Sequence, residues 1–175
     1  EEAYSIAILL KECMEDLDRR FDVNIFATDL SEEAIEAARD PRYPAGIVED
    51  VGKERLERFF EKTDEGYRVK NEIREMLIFA VHDVVKDPPF TRLDLLSCRN
   101  LLIYMNADLQ KKLLPVFHYA LKENGLLFMG GSETVGSFTD LFDAAASKLR
   151  ISRRKPGSHA REGFLQIGIH GARKD

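Results

Sequence analysis

Three polar groups stand where short apolar runs end, and their types suggest ligand chemistry. Asp29 closes the run Asp22-Val23-Asn24-Ile25-Phe26-Ala27-Thr28, and Asp83 closes Met76-Leu77-Ile78-Phe79-Ala80-Val81-His82. The pair Arg99-Asn100 follows Leu93-Asp94-Leu95-Leu96-Ser97-Cys98. In a parallel α/β sheet, ligands bind at the carboxyl ends of the strands, so all three are candidate binding groups. A carboxylate offers two acceptors at the spacing of two ribose hydroxyls, which is chemistry that Asp29 could supply. The competing reading makes Asp29 a cap between strand and helix, and Asp83 an ordinary turn aspartate. His82, beside these groups, reads as a strand-packing residue.

These groups need elements to hold them. Ile6, Leu9, Leu10, Cys13, Met14 and Leu17 recur at helical spacing over residues 4–17, with Lys11, Glu12, Glu15 and Asp16 turned away. Ser31 is placed to cap a second helix through Arg39, with Glu32 and Glu33 in its favourable first turn. Residues 41–71 change character: Pro41, Pro44, Gly46, Gly52 and Gly66 surround a helical stretch at Leu56 to Phe60 and a hairpin-like Glu65-Gly66-Tyr67-Arg68-Val69. That segment reads as a small inserted subdomain. Asn106 or Asp108 could cap a helix to Lys122, stopped by Asn124-Gly125, with Pro115 expected to bend or split it. Leu126 to Met129 is a fourth strand entering Gly130-Gly131; a short helical region follows at Ser137 to Phe142, and Leu149 to Ser152 is a final strand. Strands alternating with helices imply an α/β fold, a parallel sheet with helices on both faces. Residues 156–175 read as linker or tail, apart from a weak alternation at Phe164 to Ile169.

Composition narrows the function classes. The chain has 175 residues and a mass of 20.0 kDa, the size of one domain. Twenty-six basic against 31 acidic side chains give a formal charge of −5, so no whole-chain attraction to nucleic acid or anionic membrane is expected. No apolar run approaches the roughly 20 residues that span a bilayer, so no membrane insertion is expected. Cys13 and Cys98 lie far apart without metal spacing. They read as buried free thiols of a cytoplasmic protein, and no metal site is expected.

The pattern as a whole resembles the CheR-type methyltransferases, S-adenosylmethionine-dependent enzymes that esterify glutamates on chemotaxis receptors. The matching stretches are Glu1-Glu2-Ala3-Tyr4-Ser5-Ile6-Ala7, Phe26-Ala27-Thr28-Asp29-Leu30 and Pro88-Pro89-Phe90. They continue with Leu93 to Tyr104, including Cys98-Arg99-Asn100-Leu101-Leu102-Ile103-Tyr104, and with Gly125 to Glu133. The resemblance covers residues 1–155 in order and implies a Rossmann-like methyltransferase catalytic domain, with 41–71 as the family's small β-subdomain. It implies that Glu2 binds the methionine ammonium of S-adenosyl-L-methionine, that Asp29 holds the ribose, and that Asp83 with Val84 contacts the adenine. Relatives often carry Asn at the position of Asp83, which keeps an acceptor here and loses a donor. Arg99 and Asn100 would line the cofactor pocket. Tyr104 would sit beside the methyl group and the incoming carboxylate as the catalytic residue; the competing reading is a core tyrosine. The implied partner is a chemoreceptor-type protein.

The chain departs from the family at its start. Members carry an N-terminal helical domain, a first strand and a glycine loop before the Glu-Glu-x-Tyr-Ser helix. The expectation is therefore a fragment with a central strand missing, weak cofactor binding in isolation, and further domains in a parent chain. The sheet gap would be closed by rearrangement or by strand pairing between chains, with Phe164 to Ile169 one donor. Two other functions compete: a methyltransferase-like binding or regulatory module that does not turn over, and a dinucleotide-dependent Rossmann enzyme. The Cys98-to-Tyr104 block argues against the latter. Under the leading reading, the site side chains converge around a single cavity.

Overall fold

The computed structural model describes residues 1–157, so the expected strand at Phe164 to Ile169 lies outside the described residues. The chain divides into two compact units, Glu1–Asp83 and Val84 onward.

The first unit opens with helix α1 (Glu2–Asp16). Its buried face is Tyr4, Ala7 and Ile8, flanked by the partly buried Ala3, Leu10 and Met14. Leu9 and Leu17, expected inside, are 48% and 64% exposed, and Cys13 is exposed rather than a buried thiol. The apolar arc of α1 is wider than the core it meets. Tyr4 decides the rotation, because its ring packs against Phe79 and Tyr43 (centroids 5.7 and 6.3 Å) and its hydroxyl donates to the Ala38 carbonyl at 3.1 Å.

Strand β1 (Ile25–Asp29) pairs in parallel with β5 (Leu77–Val81), in register from Ile25↔Leu77 to Asp29↔Val81. Between them runs α2 (Glu32–Arg39), capped as expected by the Ser31 hydroxyl accepting from Ala34 N at 3.2 Å. Residues 42–74 hold β2 (Arg42–Tyr43), α3 (Val48–Val51), α4 (Lys53–Phe59), β3 (Phe60–Thr63), β4 (Gly66–Val69) and α5 (Asn71–Arg74). Their strands form a separate antiparallel sheet in the order β2-β4-β3. Gly66 has φ 146°, and a Cβ there would lie 2.2 Å from the Tyr43 carbonyl oxygen, so this crossing requires glycine. Helix α4 is tied to α1 by ion pairs, Arg55 gripping Glu12 with two bonds (2.8 and 2.9 Å) and Arg58 meeting Glu15. Phe59, Phe60, Val69 and Ile73 join Tyr4, Ala7 and Leu77 in one core cluster.

The second unit is a four-stranded sheet, β6 (Leu93–Cys98), β7 (Leu121–Met129), β9 (Ile151–Arg154) and β8 (Phe142–Ala146), in that order. Only β6 and β7 are parallel; β9 runs antiparallel to both its neighbours, so the expected wholly parallel sheet is mixed. The helix expected at Ser137 to Phe142 is not formed; Phe142 instead opens β8. Helix α6 (Ala107–Ala120) is capped by Asn106, whose Oδ1 accepts from Leu109 N at 2.9 Å. Pro115 does not split it. Burying Leu113, Leu114, Phe117 and Ala120 offsets the roughly 3 kcal/mol that an interior proline costs. Asn124-Gly125 is likewise not a helix stop. The helix ends at Ala120, and Asn124 (φ 64°) and Gly125 form an irregularity inside β7, where pairing jumps from Leu93↔Leu121 to Leu95↔Leu126. Gly125 is needed there because a Cβ would come 2.9 Å from the Lys122 carbonyl oxygen.

Candidate functional site

Within the first unit, Glu2 occupies the exposed first turn of α1, where a carboxylate suits the helix N-terminus. Asp29 ends β1 level with Val81, the last residue of β5. Its backbone carbonyl accepts from His82 N at 3.0 Å, and its Oδ1 accepts from Ser31 N at 2.8 Å. The cap and ligand readings of Asp29 are thus compatible. One carboxylate oxygen shapes the strand-to-helix turn, while Oδ2 has no hydrogen bond among the described residues and the side chain stays exposed. Asp83 is half-buried two residues beyond β5. A shallow cleft of about 490 Å³ lies elsewhere in this unit, on the β2-β4-β3 sheet between Asp40, Arg42, Glu65 and Arg68. The Arg42 guanidinium there holds the Asp40 carboxyl below its ordinary range.

Within the second unit, the turn after β6 carries the remaining candidates. Arg99 lays its guanidinium over the Phe128 ring, 4.9 Å from the centroid. Asn100 adopts φ 59°, a left-handed conformation that asparagine tolerates. Tyr104 closes the short 3₁₀ turn Leu102–Tyr104 and is 82% exposed, so it is not a core tyrosine. Leu102 is the buried anchor of this turn. Gln110, in the first turns of α6, donates through Nε2 to the carbonyls of Leu102 and Met105 at 2.9 and 3.0 Å. Val84 packs against this unit's core.

One residue that braces this turn was given no role in the sequence reading. Glu133 is only 4% exposed, and its carboxylate accepts three backbone N–H bonds: Gly130 at 2.7 Å, Leu102 at 2.8 Å and Asn100 at 3.0 Å. Its own N–H donates to the Gly130 carbonyl at 3.0 Å, closing a tight turn. A Cβ on Gly130 would fall 2.6 Å from Glu133 Oε2 and 2.9 Å from Asn100 Oδ1. The available signal was a glutamate three residues past Gly130, in the small-residue turn that follows the strand.

The structure therefore groups Glu2, Asp29 and Asp83 in one unit, and Val84, Arg99, Asn100 and Tyr104 in the other. Residues 1–151 match the family profile described as CheR methyltransferase, SAM binding domain. The chain belongs to the CheR methyltransferase family. It is 39% identical, over 90% of its length, to an uncharacterized 104.1 kDa protein in the hypE 3′ region of Rhodobacter capsulatus, of which it covers 17%. It is also 33% and 35% identical to the chemotaxis protein methyltransferases of Borreliella burgdorferi and Listeria innocua, over 77% of this chain in each case. The chain spans about half the length of these two relatives, 49% and 50%. The match to the CheR S-adenosylmethionine-binding domain indicates S-adenosylmethionine as the cofactor. The chemistry of Asp29 suits that cofactor: an exposed strand-end carboxylate engaged by the backbone through Oδ1 alone can receive ribose hydroxyls. Among the described residues no cluster of metal-ligating side chains occurs, and no helix is long and apolar enough to cross a membrane.

Proposed function

We propose that the protein carrying this chain transfers a methyl group from S-adenosylmethionine to a glutamate side chain of a chemotaxis-type receptor, giving a glutamyl methyl ester. The observation that carries this reading is the match over residues 1–151, together with an acid or amide at or just past the carboxyl ends of three of the four strands in parallel pairs, β1, β5 and β6: Asp29, Asp83 and Asn100. In this reading Asp29 accepts the ribose hydroxyls, Glu2 pairs with the methionine ammonium, and Asp83 and Val84 border the adenine. Arg99 and Asn100 line the remaining wall.

Bound S-adenosylmethionine supplies a methyl group activated by its sulfonium charge. The acceptor glutamate is already ionised near neutral pH, so the chain needs no strong general base. What its residues contribute is alignment and exclusion of water from two opposite charges. Tyr104 would serve both ends: its ring would hold the cation, worth about 0.5–2 kcal/mol, and its hydroxyl would orient the acceptor carboxylate.

The test is transfer of labelled methyl from S-adenosylmethionine to receptor-bearing membranes by the full-length protein, with alkali-labile label marking an ester. Label that resists alkali, or no transfer to any chemoreceptor, refutes glutamate methylation. The Rhodobacter capsulatus relative, in which the matching region is 17% of a much larger chain, favours a second reading as a binding or regulatory module. Calorimetric binding of S-adenosylhomocysteine without transfer would select it.

A further inference from the structure

We propose that Glu133 is a positioning residue of the methyl-donor site: its buried carboxylate fastens the turn bearing Asn100 and Tyr104 to the end of the neighbouring strand. This inference rests on the methyl-donor reading above and adds a residue to it.

The argument starts from burial. A carboxylate that is 4% exposed must have its charge satisfied, and Glu133 meets three backbone amides instead of a cationic side chain. Those amides come from two places. Asn100 and Leu102 belong to the turn after β6, and Gly130 follows β7. The two strands are parallel neighbours whose ends, Cys98 and Met129, stand in register. One side chain thus joins the carboxyl ends of adjacent parallel strands, which is where α/β sheets receive ligands.

The connection also explains two local costs. Asn100 is held at φ 59°, and Gly130 leaves no room for a side chain between Glu133 Oε2 and Asn100 Oδ1. A strained conformation persists where its surroundings over-determine it, and here the carboxylate does so by receiving the Asn100 N–H. Glutamine at this position would keep the shape. It offers a single carbonyl acceptor, however, and turns an NH₂ toward at least one of the three donors.

The test uses the full-length protein and Glu133→Gln. Binding of S-adenosylhomocysteine is measured by calorimetry, and initial rates are measured while methyl donor and acceptor are varied separately. The expected result is donor affinity weakened about 10- to 100-fold, with the donor KM raised to match. A variant that merely unfolds in part would lower apparent kcat and leave the donor KM where it was. A folded Glu133→Gln protein with wild-type donor affinity and KM overturns the inference. Should the variant fail to fold, amide exchange in the wild type decides: the N–H groups of Asn100, Leu102 and Gly130 must slow when S-adenosylhomocysteine binds, and unchanged rates overturn it. Wild-type protein that binds no S-adenosylhomocysteine overturns the methyl-donor reading itself, a distinct outcome.

Discussion

His118 gives the second unit a calculable response to acid. It is 1% exposed within α6, its Nε2 stands 3.0 Å from the Lys155 carbonyl, and its ring meets Phe142 edge-on at 5.7 Å. That geometry assigns the proton to Nε2 and leaves Nδ1, buried, without a hydrogen-bond partner among the described residues. The charged groups around it are Arg154, which donates to the His118 carbonyl at 2.7 Å, Lys155, and Asp140. Burial pulls the imidazole below its ordinary pKa; Arg154 acts in the same direction, while the Lys155 carbonyl and Asp140 oppose it. A neutral buried histidine contributes stability that is fully present above its unfolded pKa of about 6.5 and is lost as pH falls toward the lower folded value. Between pH 7.5 and 5.0 the loss is at most about 2 kcal/mol, from roughly 1.5 pH units at 1.36 kcal/mol each. In His118→Gln, the amide N–H can still donate to Lys155 while the titration disappears. Urea unfolding of both proteins at the two pH values isolates the difference. Equal pH dependence in the two, or a wild type that gains relative stability in acid, would refute the reasoning.

Other perturbations test the packing. Leu127→Ala removes a fully buried side chain from the middle of β7 and should cost about 2–5 kcal/mol in chemical unfolding. Gly130→Ala forces a Cβ to within 2.6 Å of Glu133 Oε2, and should cost about 1–3 kcal/mol and weaken S-adenosylhomocysteine binding. A double-mutant cycle on Glu12→Ala and Arg55→Ala should give a coupling of about 0.5–1 kcal/mol, since the pair is bidentate yet partly exposed. The hydrogen bond from Arg55 holds the Glu12 carboxyl below its ordinary range. That coupling should therefore be complete above about pH 4.3 and vanish as pH falls through the lower folded value.

The elements that were legible in the sequence had local chemical causes. Ser31 and Asn106 cap because a side-chain oxygen lies within reach of an orphan N–H, a relation contained in a few residues. The change of character at residues 41–71, where a separate antiparallel sheet forms, shows in their prolines and glycines. The misread features were decided at a distance. Asn124-Gly125 has the dipeptide chemistry of a helix stop, yet pairing with Leu93 and Leu95 drew the segment into β7. The rotation of α1 was settled by Tyr4 meeting Phe79, Tyr43 and the Ala38 carbonyl, all distant in sequence. Pro115 was overruled by the buried face around it. The site shows the same division. Among the candidate residues, Asp29 and Asn100 stand out in sequence as polar groups at strand ends, whereas the hydrogen bonds of Glu133 reach amides 31 and 33 residues earlier in the chain.

The turn bearing Tyr104 has its backbone secured from two sides, by Glu133 at the Leu102 N–H and by Gln110 at the Leu102 and Met105 carbonyls. Its ring meanwhile projects into solvent. An arriving protein segment would therefore have to freeze only two side-chain torsions, at a cost of about 0.5–1.5 kcal/mol, with no loop to organise. Under the proposed function, engagement at so low a cost would let an acceptor be visited, modified and released in turn.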